Sequence, residues 1–378
     1  MSAQQKILLV QLYANGDCLY ATAIARQIKT DFPGCRLTWA IAPFCKSILS
    51  GNPYVDEVSV CNEVKKDDVA AFRKYVKKVF SEKALGIWDE VFVTTTMDTN
   101  LANYDGTIRG MIIRGYPHKM TVPLEPVLTL TDAERSTVAA FAEKHGLRKF
   151  KHVILWEYAP QSGQSSLTAD LVKTVADRLT ALPSVCIILT SGNKFPETDP
   201  IIDASVLSVR ENAALTHYCN LLIGCSSGIT WISTSSAAKF LPMVQLLNAR
   251  ADFRNAPSED FKRYHIKHKG LIEMSEFAVD TIFNCVAEII KNGFDSAMKY
   301  HEKLPLQFNT TKKIVYNLLV YREFSAIRKH YRIMTGIYGR HPLLLKAFAA
   351  GFAGFPFKLV NNLWRRKFNP GIFSTKKA

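Results

Sequence analysis

The sequence has no unbroken apolar run of the ~20 residues that a membrane-spanning helix requires. Its first apolar stretch, Ile7–Tyr13, is about half as long as the core of a good secretion signal, and it leads into Asn15-Gly16-Asp17 instead of a small-residue cleavage site. The eight cysteines form no C-x-x-C pair, and most lie within apolar segments. We therefore predict a cytoplasmic protein with reduced, buried thiols and neither a disulfide framework nor a zinc site.

Acidic residues are scarce at one end of the chain. Residues 305–378 contain 14 Lys/Arg and a single acidic residue, Glu323, a net charge of +13. Because the whole chain carries +15, the other 304 residues carry only +2. This distribution argues against a globally basic nucleic-acid-binding protein. The 48% of hydrophobic residues also excludes global disorder.

Short apolar strands alternate with helical periodicity through most of the chain, which is typical of doubly wound α/β domains. The predicted strands are Lys6–Leu12, Arg36–Ala42, Glu57–Cys61, Asp89–Thr95, Val153–Glu157, Val185–Thr190, Ser205–Val209, Leu221–Gly224 and Met243–Leu247. Thr131 and Glu134 predict a capping box at the start of a helix. The pattern predicts two α/β domains, 1–148 and 149–295.

The remaining segment, 296–378, is predicted to be a basic amphipathic helical tail. Six residues share one helical face: Tyr316, Val320, Phe324, Ile327, Tyr331 and Met334. An aromatic-rich stretch, Leu343–Val360, is predicted to break at Pro356 and precedes a cluster of basic residues. We expect 310–335 to dock partly on the domains and 340–370 to contact an anionic membrane surface. RNA binding is less favoured, because no recognition module accompanies the charge.

The first candidate motif is the strand–loop–helix KILLVQLYANGDCLYATAIARQIK near the N-terminus. A glycine turn after a parallel strand lies at the carboxyl edge of the sheet, where α/β folds bind ligands. The chain contains neither G-x-G-x-x-G here nor a G-K-[ST] loop, which weakens dinucleotide and ATP binding as interpretations. Asp17 is either a catalytic carboxylate or a helix-capping, first-turn acid.

The second candidate motif is LLIGCSSGITWIST, residues 221–234. Its strand is predicted to end at Gly224 and its helix to begin near Ser227. Free N–H groups at such a start, beside a glycine, can bind a diphosphate. The alternative is a tight turn capped by Ser226 or Ser227, without a ligand.

With N-P-Y-V-D-E-V at residues 52–58, these motifs resemble those of the ADP-heptose:lipopolysaccharide heptosyltransferases, glycosyltransferase family 9. The Gly16-Asp17 turn is similar to their first motif. Gly224-Cys225-Ser226-Ser227-Gly228 is similar to their G-x-D-S-G motif. The resemblance covers roughly residues 5–290 and includes both motifs in order.

The resemblance implies a GT-B fold, two Rossmann-like domains that face each other across a cleft. It also implies inverting, metal-independent sugar transfer from a nucleotide sugar, with no cofactor. Asp17 would be the general base that deprotonates the acceptor hydroxyl. The expected donor-binding residues are Ser226, Ser227, Gly228, Ile229, Thr230, Lys194 and Glu211. The expected acceptor-binding residues are Asn15, Gly16, Arg109 and Arg114.

Two departures concern the donor. Ser226 stands where the family motif has an acidic residue, and Ala159–Leu167 lacks the basic residue expected near Ser165. Lys194, after a strand, is the candidate replacement. The sequence therefore does not identify the donor sugar. Glu211 would reach a ribose or interact with its own helix dipole.

Arg109 and Arg114, with His118 and Lys119, lie in an irregular basic stretch that suits an acidic or phosphorylated acceptor glycan. Solvated loop charge is the alternative. His265 and His268 have no acidic or cysteine partner at metal-binding spacing, so no metal site is expected.

The predicted function is transfer of a sugar to a lipid-linked surface glycan, such as the lipopolysaccharide core, by a peripheral protein on the cytoplasmic face of the inner membrane. A non-catalytic scaffold that binds glycan or nucleotide sugar is the alternative from another class. A nucleotide-cofactor enzyme of Rossmann type is a third hypothesis, disfavoured by the absence of G-x-G-x-x-G.

Overall fold

The computed structural model describes residues 4–158, 165–249, 256–275 and 277–368, with side chains described as far as Phe355. Two parallel sheets organise it. The strands are β1 Lys6–Val10, β2 Arg36–Ile41, β3 Glu57–Val60, β4 Glu90–Val93, β5 His152–Glu157, β6 Val185–Thr190, β7 Ile201–Asp203, β8 Leu221–Gly224, β9 Met243–Leu246 and β10 Leu271–Met274. The α/β prediction is confirmed.

The first sheet has the strand order β3-β2-β1-β4, all parallel. Central β1 pairs on both sides, so that Ile7 lies opposite Leu37 and Glu90. Four of its five residues are buried, as an apolar strand covered on both faces requires. All four predicted strands of this domain are confirmed.

The second sheet has the order β10-β9-β8-β5-β6-β7, again parallel. The strand predicted at Ser205–Val209 is wrong. Asp203 ends β7 because its carboxylate accepts hydrogen bonds from the backbone N–H (3.0 Å) and hydroxyl (2.7 Å) of Ser205, which turns the chain. The prediction also missed β10 at Leu271–Met274.

The longer connections are helical. The α-helices are α1 Asn15–Asp31, α2 Val69–Ala84, α3 Ile108–Ile113, α4 Asp132–Lys144, α5 Ala169–Thr180, α6 Glu211–Leu215, α7 Gly228–Ile232, α8 Pro257–Arg263, α9 Val279–Asn292, α10 Asn309–Val320, α11 Phe324–Tyr338 and α12 Pro342–Phe368. Short 3-10 helices cover Pro43–Leu49, Asp98–Asn103, Leu147–Lys149, Thr216–Tyr218 and Asp295–Tyr300. The capping box of Thr131 and Glu134 is confirmed.

The tail folds back onto the first domain. The predicted single face is divided, because Arg322 has a φ of 60° and separates α10 from α11. Residues Ile327 and Met334 are buried, whereas Phe324 is 65% exposed. Helix α12 packs on α10 and continues through Pro356, so the predicted break there is wrong.

Side chains of the tail belong to the same hydrophobic core as the first domain. Ile314, Leu318 and Met334 share that core with α1 and β2, and the His330 ring lies 3.3 Å from the carbonyl oxygen of Ala102. Leu344 and Phe348 of α12 are buried in the same core, so one face of α12 is docked. Residues 369 and 370 of the predicted membrane segment lie outside the described residues. None of the described helices combines the length and the apolarity that crossing a membrane would take.

Candidate functional site

The two motifs found in the sequence meet between the domains. A Cβ on Gly16 would lie 4.0 Å from the Cα of Gly228 and 3.4 Å from the Trp231 ring. A Cβ on Gly228 would lie 3.9 Å from the Cβ of Asn15. Since α1 follows β1 and α7 follows β8, the carboxyl edges of both sheets face this point.

Asp17 lies in the first turn of α1 at this junction. Its carboxylate accepts a hydrogen bond of 2.9 Å from the Thr96 hydroxyl and another from the backbone N–H of the N-cap residue, Ala14. Although the residue keeps a partly exposed edge, burial of the carboxylate raises its pKa to about 6, and the Thr96 hydrogen bond opposes the rise. Asp17 therefore supports the start of the helix and has a pKa suited to proton transfer.

The turn after β8 has no room for a side chain at Gly224. A Cβ there would lie 2.4 Å from both the side-chain Nε2 of Gln245 and the hydroxyl oxygen of Thr230. Two residues on, Ser226 has a φ of 54°, and its backbone N–H donates to the Gln245 side chain at 2.8 Å. The Ser226 hydroxyl is buried and finds no hydrogen-bond partner among the described residues.

Glu157, at the end of β5, fills this turn. Its carboxylate accepts hydrogen bonds from the Thr230 hydroxyl (3.0 Å), the Ser227 hydroxyl and the backbone N–H of Cys225 (3.2 Å). Burial raises the pKa of Glu157, and these donors oppose the rise. Sequence reasoning passed over this residue. The available signal was a carboxylate that ends an otherwise apolar strand, HVILWE.

Glu157 limits the hydrogen bonds that the turn can make to a nucleotide-sugar donor. Ser226, Ile229 and Thr230 are buried, and Glu157 already engages the Thr230 hydroxyl and the Ile229 N–H. Of the five predicted diphosphate-binding residues, only Ser227 and Gly228 keep exposed surface. The structure therefore corrects the expectation that all five face the cleft.

The other two predicted donor residues lie elsewhere on the second domain. Lys194 is exposed in the loop after β6, the strand beside β5. Glu211 begins α6, and its carboxylate accepts a 2.6 Å hydrogen bond from the Ser208 N–H. This contact matches the helix-start role of Glu211. The segment that lacks the expected basic residue falls mostly outside the described residues.

Arg109 does not face an acceptor. Its side chain is 1% exposed, and its Nε donates to Asp260 Oδ2 at 2.7 Å. The guanidinium lies 4.2 Å from the centre of the Tyr20 ring and donates to the carbonyl oxygen of Leu124. The structure corrects the predicted acceptor contact: Arg109 joins α3 of the first domain to α8 of the second.

Arg114 is one-third exposed and pairs with the buried carboxylate of Asp105. Asp105 also pairs with Arg263 at 2.9 Å. Arg114 therefore combines a structural ion pair with surface that a ligand can reach.

The 52–58 string has a structural role here. Asn52 Oδ1 accepts the Tyr54 N–H at 3.0 Å, which shapes the turn before β3. Asp56 accepts hydrogen bonds from the Lys29 ammonium (2.5 Å) and the Leu37 N–H (2.6 Å), which lowers its pKa against the effect of burial. The string therefore anchors α1 to β2, away from the junction of the motifs.

A second buried arginine ties the domains together. Arg210, before α6, makes a bidentate pair with Glu134 at 2.6 and 2.9 Å and donates to the carbonyl oxygens of Ser47 and Ser50 at 3.1 Å each. The pair lowers the pKa of Glu134 to about 2. Across the described residues, no cluster of three or more His, Cys, Asp or Glu side chains could hold a metal ion.

Comparisons with known proteins bear on the fold. No protein-family model and no curated protein matches the sequence. The structure of a glycosyl transferase family 9 protein from Veillonella parvula has a TM-score of 0.52 at 14% identity, over 89% of this chain and 99% of that chain. The E. coli ADP-heptose lps heptosyltransferase II has a TM-score of 0.48 at 14% identity, over 84% of this chain and 100% of that chain. The chain thus has the two-domain GT-B fold of a family 9 glycosyl transferase structure, as its motifs predicted.

Proposed function

We propose that this protein is a glycosyltransferase that moves a sugar from a nucleotide diphosphate donor to a lipid-linked surface glycan such as the lipopolysaccharide core. The observation that carries the proposal is the meeting of Asn15-Gly16-Asp17 with Ser227-Gly228 at the junction of two α/β domains. It brings a carboxylate of raised pKa to the facing sheet edges, where such folds bind ligands. The fold alone carries no activity.

In the proposed reaction Asp17 accepts the proton of an acceptor hydroxyl while the hydroxyl oxygen attacks the anomeric carbon. The new C–O bond forms as the bond to the diphosphate oxygen breaks, and the nucleoside diphosphate departs. Attack from the opposite side inverts the anomeric configuration. Asn15 and Gly16 would border the acceptor.

Lys194 and the partly exposed Ser227-Gly228 segment would bind the nucleotide-sugar donor, with Glu211 near its ribose. A lysine and hydrogen-bond donors can stabilise the charge of the leaving diphosphate, so the proposed transfer uses no metal. Activity that persists in excess EDTA would support this part of the proposal, and loss that Mg²⁺ restores would contradict it.

We also propose that the protein attaches peripherally to the cytoplasmic face of the inner membrane through its tail. The support is the basic charge of 305–378 and the exposed apolar side chains Phe324, Leu343, Leu345 and Phe352 on α11 and α12. Such a position would bring the cleft to a lipid-linked acceptor.

A second candidate function is a non-catalytic scaffold that binds a nucleotide sugar or glycan. The observation that favours it is Glu157, which occupies hydrogen-bond donors of the turn where a diphosphate was expected. Binding without turnover would distinguish the scaffold from the enzyme.

The test is a thermal-shift panel of ADP-, GDP-, UDP- and CMP-sugars on the full chain. A donor at 100 times its dissociation constant should stabilise the folded state by ~2.7 kcal/mol. Stabilisation by the sugars of one nucleotide, reduced in Lys194→Gln, supports the proposal. Lys173→Gln, an exposed lysine on α5, is the matched control. No shift with any member contradicts it.

A further inference from the structure

A groove of about 940 Å³ separates α11 from the loop after α3. Every ionisable side chain that lines it, apart from the Tyr116 phenol, is basic: Arg114, His118, Lys119, Arg328, Lys329 and Arg332. The lining residues include no carboxylate. The first domain supplies one wall and the tail supplies the other, so the groove exists only because the tail folds back.

Most of this charge is unneutralised. Within the described part of the chain, no carboxylate forms an ion pair with Lys119, Arg328 or Arg332, whereas Arg114 is paired with Asp105. Burial lowers the pKa of Lys329, and the positive charge of Arg114 lowers it further. An anion in the groove would reduce the repulsion between these positive charges and could accept hydrogen bonds from several of the side chains.

The groove extends away from Asp17. Its loop contacts the C-terminal end of α1, where the Tyr116 hydroxyl donates to Asp31 at 2.5 Å and the His118 ring lies 5.7 Å from the Phe32 ring. Asp17 is at the other end of this 17-residue helix, about 25 Å long at 1.5 Å per residue. A ligand in the groove is therefore not the group that reacts.

An aromatic strip, Phe324 and Tyr331 of α11, lies beside the groove. On α11, Phe324 is 65% and Tyr331 is 37% exposed, and helical spacing puts both beside Arg328. The Tyr331 ring packs edge-on against Phe348 of α12, with 5.2 Å between ring centres. Basic side chains next to exposed aromatic ones match the headgroup and acyl layers of a membrane surface.

We propose that this groove binds the phosphate of an anionic phospholipid headgroup, while the neighbouring aromatic strip contacts the acyl boundary. The proposal rests on the membrane attachment proposed above and assigns it a site. Free phosphate has the same chemistry but makes no use of the aromatic strip, so the strip favours the lipid.

The experiment measures binding of the full chain to phosphatidylcholine vesicles with and without phosphatidylglycerol. The groove variant is Arg328→Gln/Arg332→Gln. The control variant is Lys74→Gln/Lys77→Gln, which removes the same charge from exposed positions on α2. At ~1 kcal/mol for each basic residue near an anionic surface, the groove variant should partition about 30-fold more weakly. The control variant should partition no more than about 3-fold more weakly than the wild type.

Equal losses in both variants would overturn the proposal, because they would report net charge and no site. Unchanged binding of the groove variant would overturn it as well. Two further results together would also overturn the proposal. If inorganic phosphate stabilises the wild type but not the groove variant, and Phe324→Ser leaves vesicle binding unchanged, the groove binds free phosphate and not a lipid headgroup. The nucleotide-sugar panel on the same preparations keeps the two proposals apart, since donor binding does not depend on this groove.

Discussion

Removing Arg109 should destabilise the protein strongly, because it leaves Asp260 buried without its partner. The two side chains are 1% and 5% exposed and lie 2.7 Å apart. Breaking a buried ion pair from one side costs about 3–5 kcal/mol. We expect Arg109→Met to lower the free energy of unfolding by this amount at pH 8, as measured by urea denaturation followed by circular dichroism.

The pH dependence of this loss has a definite sign. Burial raises the pKa of Asp260, and Arg109 opposes that rise. Without Arg109 the pKa of Asp260 rises further, so a proton can neutralise the buried carboxylate at lower pH. The destabilisation should therefore be smaller at pH 5 than at pH 8.

The double variant Arg109→Met/Asp260→Asn removes both charges and should recover more than half of the loss. The exposed pair Lys173–Asp177 is the control, because breaking it should cost at most about 0.5 kcal/mol. A loss below about 1 kcal/mol in Arg109→Met, or a double variant as unstable as the sum of its parts, would refute the reasoning.

Three further outcomes are expected. Gly224→Ala should lower the free energy of unfolding by about 1–3 kcal/mol, because its Cβ would lie 2.4 Å from the Gln245 side chain. The control Gly336→Ala, in open space on α11, should be neutral or stabilising. Equal urea midpoints for the two variants would contradict this prediction. Asp17 has a folded-state pKa raised from 3.8 to about 6, so its contribution to stability falls as pH rises through this range. Asp17→Asn should therefore gain up to ~3 kcal/mol over the wild type between pH 4 and pH 8, and parallel pH profiles would contradict the shift. Glu157→Ala should cost about 2–4 kcal/mol, because it leaves several buried donors without an acceptor; an unchanged melting temperature would argue against its place in the turn.

The sheets could be predicted because their strands are apolar runs between turn residues. Strands β6 and β8 match the prediction to the residue, and the prediction of the Thr131–Glu134 capping box is confirmed. The short edge strands were harder. Strand β7 has three residues and β10 has four, and both are too short to show a distinct periodicity.

The meeting of the two motifs follows from strand topology, since both come after strands at a carboxyl edge. The partners of individual side chains do not follow. Nothing in the sequence pairs Arg109 with Asp260, 151 positions away. An arginine in a stretch without clear periodicity looks the same in the sequence whether it is solvated or buried. Glu157 was missed because strand patterns mark a buried position but not the donors that converge on it.

The pH dependence of sugar transfer tests the central claim most directly, once a donor and an acceptor have been identified. The account predicts that kcat of the wild type rises with pH across about 6, the pKa of Asp17. It also predicts that Asp17→Asn binds the donor normally, loses about 100-fold or more in kcat and shows no such rise. Full turnover in Asp17→Asn would contradict the account.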